Sequence, residues 1–220
     1  MVDVMQRNAS IEISEYQLSR MAELVKKSLD LSVKALFESN ILLARNVIEA
    51  DKAINSYEID IDNSTYGMLV VNPIPPDILR SIISIQKINA MLERIGDHAV
   101  NIAESAINLA GTGGEKIFFD LPDMADQSKK MFYDALSSFF DKDVGLADDV
   151  LGRDDTIDSL NLSISAEVKA KVLANELSFE SAMDLIRVCK NFERIADLSS
   201  NIAEETSFAV MGRIVKHHYE

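Results

Sequence analysis

Two stretches of the sequence place acidic side chains one helical turn apart. Glu93, Asp97 and Asn101 follow one another at four-residue steps, and the series returns one hundred residues later as Glu193, Asp197 and Asn201. Residues four apart share one face of an α-helix. Carboxylates so placed repel each other unless cations lie between them, and carboxylate oxygens are the ligands that hard cations prefer. The two stripes are therefore candidate metal-binding residues.

A second acidic segment precedes each stripe. Asp51 with Asn55, and Asp154 with Asp158, have the same four-residue spacing. If each segment packs beside the stripe that follows it, carboxylates from two helices meet and can surround an ion that one helix alone would leave half coordinated. An acidic pair is more often simply a hydrated helix face. Spacing alone thus leaves two interpretations open, a cation site and a solvated surface.

Neighbours of the stripes have simpler explanations. Arg94 and Arg194 adjoin the stripe glutamates and are expected to form ion pairs. His98 is expected to be exposed or to cap a helix, with metal ligation as the second explanation, because Leu198 stands at the matching position. Gly96 lies within a helical pattern at a cost of about 1 kcal/mol relative to alanine, which predicts close approach of another helix.

The stripes belong to an internal repeat. Residues 91–104 read MLERIGDHAVNIAE, and residues 191–204 read NFERIADLSSNIAE, at an offset of 100 residues. The segments that begin at Ala44 and Ala147 match at an offset of 103 residues, so the two copies differ by three residues between these points. Length changes belong in loops, and the change falls where one copy reads VNPIPP and the other LANELSF.

Each copy is predicted to contain three long helices. Apolar residues recur at alternating steps of three and four through Ile85, Ile88, Leu92 and Ile95, which is the seam of a helix packed in a bundle. The fold class is therefore all-α, with two tandem three-helix bundles that together contain six long antiparallel helices. The predicted helices cover 12–39, 41–71, 76–110, 122–140, 143–174 and 178–212. The predicted domains are 1–111 and 112–220, joined at the GTGG sequence of Gly111–Gly114.

Composition narrows the classes of function. A net charge of −14 disfavours direct binding to nucleic acid or to anionic lipid. The single Cys189 cannot form an internal disulfide, and neither a signal peptide nor an apolar run of spanning length is visible, so a soluble cytoplasmic protein is expected. No nucleotide-binding, zinc-protease or nucleophile motif stands out, which predicts that the protein is not an enzyme.

With ERIGD at Glu93–Asp97 and ERIAD at Glu193–Asp197, the chain resembles the PhoU family of phosphate-transport regulators. The resemblance extends over about residues 15–212. It implies two three-helix bundles with multinuclear metal sites built from E/D-x-x-x-D motifs, holding iron, zinc, manganese or magnesium. The ligands implied are Asp51, Asn55, Glu93, Asp97, Asp154, Asp158, Glu193 and Asp197. Asn55 departs from the carboxylate of the motif, so the first copy is expected to bind more weakly or to hold fewer ions.

The resemblance also implies the role of the protein and its partners. Members of the family are negative regulators of phosphate uptake and of phosphate-starvation signalling. They act on components of a phosphate ABC transporter and, in many bacteria, on a membrane sensor histidine kinase, and they often form homodimers. The same role and partners are expected here.

Two other functions remain as alternatives. A carboxylate-bridged oxidase or ferroxidase on a helical bundle needs Glu-x-x-His motifs, and none precedes His98, His217 or His218. The second alternative is an interaction scaffold whose acidic faces bind only water. Metal content and the effect of metal on the unfolding midpoint separate the scaffold from the regulator.

Overall fold

The computed structural model describes residues 2–70, 74–111 and 120–212, with side chains from residue 10 onward. Across these residues the protein is helical and contains no β-strand. The helices are α1 (Val2–Phe37), α2 (Ile41–Leu69), α3 (Pro76–Gly111), α4 (Leu121–Asp141), α5 (Val144–Leu151), α6 (Asp154–Leu173) and α7 (Phe179–Met211). The predicted all-α architecture is confirmed. Residues 112–114 of the predicted linker, His217 and His218 lie outside the described residues.

Local sequence signals set the ends of most helices. The side chains of Asn40, Asp143 and Ser178 accept hydrogen bonds from backbone amides of the first turns of α2, α5 and α7. Such caps satisfy amides that have no partner within a helix. Pro76 opens α3, where its missing amide proton costs nothing, and Gly111 ends it. The predicted domain boundary after residue 111 coincides with this helix end and stays a prediction.

The predicted fifth helix, residues 143–174, is interrupted. It consists of α5 and α6, which are separated by Gly152 and Arg153. Glycine is a poor helix former, and as α5 ends the amide of Gly152 still donates to the carbonyl of Asp148, while the amide of Arg153 donates to the carbonyl of Val150. Arg153 then forms an ion pair with Asp134 of α4. The interruption lies directly before Asp154, the first acidic residue of α6.

The helices form two three-helix bundles, in which α5 and α6 together take the place of one interrupted helix. In the first, α1, α2 and α3 pack on one another, and in the second, α4 and α5–α6 pack on α7. Leu18, Ile88 and Leu92 are completely buried in the first core, and Phe132 and Phe192 in the second. Cys189 packs within the second core, where burial raises the pKa of its thiol to about 12 and keeps it protonated. None of the described helices combines the length and the apolar character that a bilayer-spanning segment needs.

The two bundles meet along α3 and α7, which run antiparallel. Arg187 of α7 donates to Glu104 of α3 at 2.7 Å, and Lys87 of α3 donates to Glu205 of α7 at 2.6 Å. Lys87 and Arg187 are equivalent in the repeat, so the basic residues of the two ion pairs are related by the approximate twofold symmetry of the duplication, although their acidic partners are offset by one position. This symmetry brings the two ERI-x-D motifs onto neighbouring faces of α3 and α7.

Candidate metal centres

The α2 part of the first cluster consists of Asp51 and Asn55, one helical turn apart. The amide of Asn55 donates a hydrogen bond from Nδ2 to Asp51 Oδ2 at 2.9 Å. Asp51 Oδ1 and Asn55 Oδ1 are buried and accept no hydrogen bond from the described residues. Burial raises the pKa of Asp51, and Asp97 on α3 adds to the rise, whereas the hydrogen bond from Asn55 opposes it. Two acceptor oxygens thus lack a donor beside the α3 carboxylates.

The α3 part of the cluster centres on Glu93. Burial, together with the charges of Asp97, Glu58 and Asp51, raises the pKa of Glu93 to about 7, with Arg94 opposing the rise. Two carboxylates of α2, Asp51 and Glu58, and one of α3, Asp97, thus act on this one carboxyl group. The acidic faces of α2 and α3 therefore face each other.

Gly96 allows this close approach. A Cβ atom at Gly96 would lie 3.2 Å from Ile54 Cδ1 and 3.5 Å from Asp51 Oδ1. A larger side chain would push α2 away and carry Asp51 with it. The expected reason for a small residue at this position, close helix approach, is confirmed.

Glu58 belongs to the same cluster, although it was not among the predicted ligands. Burial raises the pKa of Glu58, and the charges of Asp62 and Asp97 add to the rise. Buried Asn89 holds this turn of α2 in place, since its Nδ2 donates to the Glu58 carbonyl oxygen at 3.0 Å and to Asp62 Oδ1 at 3.1 Å. The first copy therefore contributes an acidic turn beyond Asp51 and Asn55.

The second copy brings together Asp154 and Asp158 of α6 with the acidic stripe of α7. Burial raises the pKa of Asp154, followed by the charges of Asp197 and Asp158, while a hydrogen bond from Ser200 opposes the rise. Burial also raises the pKa of Asp158, with Glu193 and Asp197 as the next causes. All four predicted ligands of this copy are thus gathered in one cluster.

Basic and amide side chains are paired with the second cluster. Lys190 donates to Glu193 Oε1, and Asn161 donates to Glu193 Oε2. Arg194 donates to Asp197 Oδ2 at 3.0 Å, which confirms the expectation of an ion pair for this arginine. Arg94, its equivalent in the first copy, makes no ion pair with any residue in the described ranges. The second cluster is hence compensated by its own side chains.

Asn161 and Glu58 are equivalent at the offset of 103 residues. Each copy therefore supplies two carboxylates and one amide from its α2 or α6 segment, but the amide stands at different steps, as Asn55 in one copy and Asn161 in the other. Extending the repeat alignment by one turn would have identified both residues from the sequence.

His98 lies between the two clusters. It is half-buried, which corrects the expectation of an exposed residue, because α7 packs over it. His98 Nδ1 is 2.8 Å from Asn191 Oδ1, and the amide of Asn191 donates to the Arg187 carbonyl oxygen at 2.7 Å. The Asn191 oxygen therefore acts as the acceptor, which places the proton of a neutral His98 on Nδ1. Burial lowers the pKa of His98 and favours this neutral form.

A groove of about 860 Å³ runs between the two copies. Equivalent residues of α3 and α7 line it in pairs. The pairs are Arg94 and Arg194, Asp97 and Asp197, and Asn101 and Asn201, with His98, Asp154, Leu198, Ser200 and Glu204 completing the lining. Both stripes therefore open onto one surface.

The donor set suits a hard cation. It consists of carboxylate and amide oxygens, which magnesium, manganese and other hard ions bind, and the unpartnered oxygens of Asp51 and Asn55 accept a positive charge without losing a hydrogen bond. Within the described residues, no three His, Cys, Asp or Glu side chains already stand in a metal-binding group. The eight predicted ligands are gathered in two facing clusters, and their coordination of an ion stays a prediction.

Comparison with known protein families gives a match over most of the chain. The model described as "PhoU domain" matches residues 18–106 and, a second time, residues 121–206. Each match contains one of the two acidic stripes together with the segment that faces it. The duplicated motif and the duplicated domain thus coincide.

Curated relatives match over nearly their full length. The chain is 36% identical over 209 residues to a phosphate-specific transport system accessory protein PhoU homolog of Aquifex aeolicus, covering 95% of each chain. It is 26% identical over 212 residues to the phosphate-specific transport system accessory protein PhoU of Escherichia coli, covering 96% of this chain and 88% of that one.

Solved structures agree with this relationship. The crystal structure of PhoU from Pseudomonas aeruginosa is similar with a TM-score of 0.90 and 32% identity, over 94% of this chain and 99% of that chain. The PhoU structure from Streptococcus pneumoniae, at 24% identity and a TM-score of 0.86, shares the fold. The arrangement of two tandem bundles is confirmed by these neighbours.

Proposed function

Since this chain belongs to the PhoU family, we propose that it is an accessory regulator of a phosphate-specific transport system and that metal ions on its two acidic clusters control its regulatory state. The relatives are named accessory proteins of that transport system, which supports a role in regulation of transport and not in catalysis. The finer role proposed is negative regulation of phosphate uptake and of starvation signalling.

One observation carries the metal part of the proposal. Carboxylates from two helices meet in each copy; in the first, burial and the charges of the neighbouring carboxylates raise the pKa of Glu93 to about 7, and Asp51 Oδ1 is buried without a donor. Such crowding opposes folding unless a cation offsets it. Asp51, Asn55, Glu93 and Asp97 would hold ions in the first copy, and Asp154, Asp158, Glu193 and Asp197 in the second. A bound ion supplies positive charge that fixes α2 against α3 and α6 against α7.

Metal binding is tested first with the isolated protein. Wild type is stripped with a chelator, and its unfolding midpoint is followed as manganese, iron, zinc or magnesium is added. We expect the midpoint to rise with metal concentration, because an ion that binds only the folded protein stabilises it. The Glu93→Gln, Asp97→Asn variant should lose most of the rise that comes from the first copy. A matched control, Asp123→Asn with Asp126→Asn on the exposed side of α4, should keep it.

The outcomes separate the candidate functions. A midpoint that no metal moves would support a metal-free scaffold and refute the metal part of the proposal. The oxidase alternative needs histidine ligands from Glu-x-x-His motifs, and no such motif precedes His98. Redox turnover of bound iron that depends on His98 would favour that alternative.

The regulatory role is tested in phosphate-replete cells. The proposed partners are components of a phosphate ABC transporter, a membrane sensor histidine kinase and a second copy of the chain as a homodimer. A tagged wild type should co-purify with transporter or kinase components, and the Glu93→Gln, Asp97→Asn variant should recover less of them. Starvation genes that stay repressed when the chromosomal gene is deleted would contradict negative regulation.

A further inference from the structure

The two acidic clusters differ in their own counter-charges. Each contains four carboxylates, namely Asp51, Glu58, Glu93 and Asp97 in the first copy, and Asp154, Asp158, Glu193 and Asp197 in the second. In the second, both oxygens of Glu193 and one oxygen of Asp197 accept hydrogen bonds from Lys190, Asn161 and Arg194. In the first, the described residues provide no such donor to Glu93 or Asp97.

Lys190 is the sequence difference behind this asymmetry. Its equivalent at the offset of 100 residues is Ala90, which lies exposed on α3. The arginines, by contrast, are present in both copies. A lysine side chain stands over the cluster in one copy only, directly against the glutamate of the motif.

Unpaired oxygens show the same asymmetry. Asp51 Oδ1 and Asn55 Oδ1 of the first copy are buried without a donor. The equivalent aspartate of the second copy, Asp154, accepts a hydrogen bond from Ser200 through Oδ1 at 3.4 Å. An ion entering the first cluster meets free acceptors, whereas an ion entering the second must displace donors that already satisfy the carboxylates.

We propose that the two copies are unequal metal sites: the first copy takes up a divalent ion at lower concentration, and Lys190 is the built-in counter-ion that weakens the second. This inference rests on the proposed function, since it ranks the sites that the function requires. It reverses the expectation, drawn from Asn55 alone, that the first copy binds more weakly. Each copy has one amide where the other has a carboxylate, Asn55 in the first and Asn161 in the second. The lysine beside the glutamate of the motif, Lys190, is present in the second copy only.

The size of the effect follows from electrostatics. A unit charge roughly 6 Å from a divalent ion, in a medium close to water, interacts with it strongly enough to change the affinity about tenfold. Salt screening and movement of the exposed lysine reduce this to about threefold. The effect persists when the ion pair itself opens, because the ammonium group stays tethered near the site.

The experiment measures manganese binding by each copy separately, through the spectroscopic signal of free Mn²⁺. Glu193→Gln with Asp197→Asn leaves the first copy, and Glu93→Gln with Asp97→Asn leaves the second. We expect the protein with the intact first copy to bind Mn²⁺ at least about threefold more tightly. In the background with the intact second copy, Lys190→Ala should tighten binding about threefold. Ala90→Lys should weaken the first copy by a similar factor.

A matched control is Lys27→Ala on the exposed side of α1, which removes the same charge far from both clusters and should leave both affinities unchanged. Equal affinity of the two copies, or an unchanged second copy after Lys190→Ala, overturns the inference while leaving the metal function intact. If no protein in the series binds Mn²⁺ below millimolar concentration, the metal function fails and the inference fails with it.

Discussion

Glu93→Gln should stabilise the metal-free protein at pH 8, although it removes a charge from a pattern that is repeated within the chain. At that pH the carboxyl group is ionised in the folded and in the unfolded protein. In the folded protein it is partly buried and faces Asp97, Glu58 and Asp51, which raise its pKa from 4.5 to about 7. Ionisation therefore costs more in the folded state, and glutamine, which resembles the protonated acid, avoids that cost.

The magnitude follows from the two pKa values. A folded-state pKa of about 7 against an unfolded value of 4.5 gives an upper limit of about 3 kcal/mol at pH 8. Glu93 remains partly exposed, so solvent screening reduces the expected gain to about 1–2 kcal/mol. Because the folded pKa is raised, the cost is present in full above pH 7. It disappears as the pH falls through 7 toward 4.5, so the advantage of the variant should shrink by more than half at pH 5.

The assay is urea unfolding of wild type and variant at pH 8 and pH 5, with a chelator present throughout. The lowered pKa of His98 makes the folded protein less stable as the pH falls, which is opposite to the effect of Glu93. This contribution is the same in wild type and variant, so it cancels in the difference between the two proteins. Glu193→Gln is the matched control, and it should not stabilise, because Glu193 is paired with Lys190 and Asn161. The reasoning would be refuted if the Glu93→Gln variant were less stable than wild type at pH 8. It would also be refuted if the variant changed the free energy of unfolding equally at both pH values.

Three further predictions concern packing, and urea unfolding tests each one. Lys87→Met should cost about 2–3 kcal/mol, because it leaves buried Glu205 without its cation, and Glu205→Gln in the same chain should restore most of that loss. Phe192→Ala should cost about 3–5 kcal/mol, since the side chain is completely buried and its removal leaves a cavity. Gly96→Val should cost about 1–3 kcal/mol and reduce manganese uptake by the first copy, because its side chain meets Ile54, whereas Gly96→Ala should keep the uptake.

Much of the fold was predictable because the signals that define it are local or repeated. The proline that opens α3 and the glycine that ends it act within one turn, so Pro76 and Gly111 mark the observed ends. The interruption at Gly152 was missed because a single glycine is tolerated within a helical pattern. Its effect depends on Arg153 reaching Asp134 on another helix, which the local sequence does not reveal.

The candidate site was predictable to the level of helix faces. Four-residue spacing placed Glu93 and Asp97 on one face, and the repeat indicated which segment faces them. The contribution of Glu58 was missed, because the predicted ligands of α2 ended one turn earlier. The partner of His98 could not be predicted, since Asn191 lies 93 residues away on α7 and meets His98 only through the packing of the two bundles.

The approximate twofold symmetry gives the two clusters a common surface. The stripes of α3 and α7 line the same groove, so a change of charge in either cluster alters one surface of the protein. With the carboxylates unoccupied, Asp97 and Asp197 offset Arg94 and Arg194 across that groove. Ions held by the carboxylates would add positive charge and make the potential of the groove more positive. A partner that contacts only α3 and α7 could therefore sense the occupancy of both sites, and unequal affinities would let it do so in two steps.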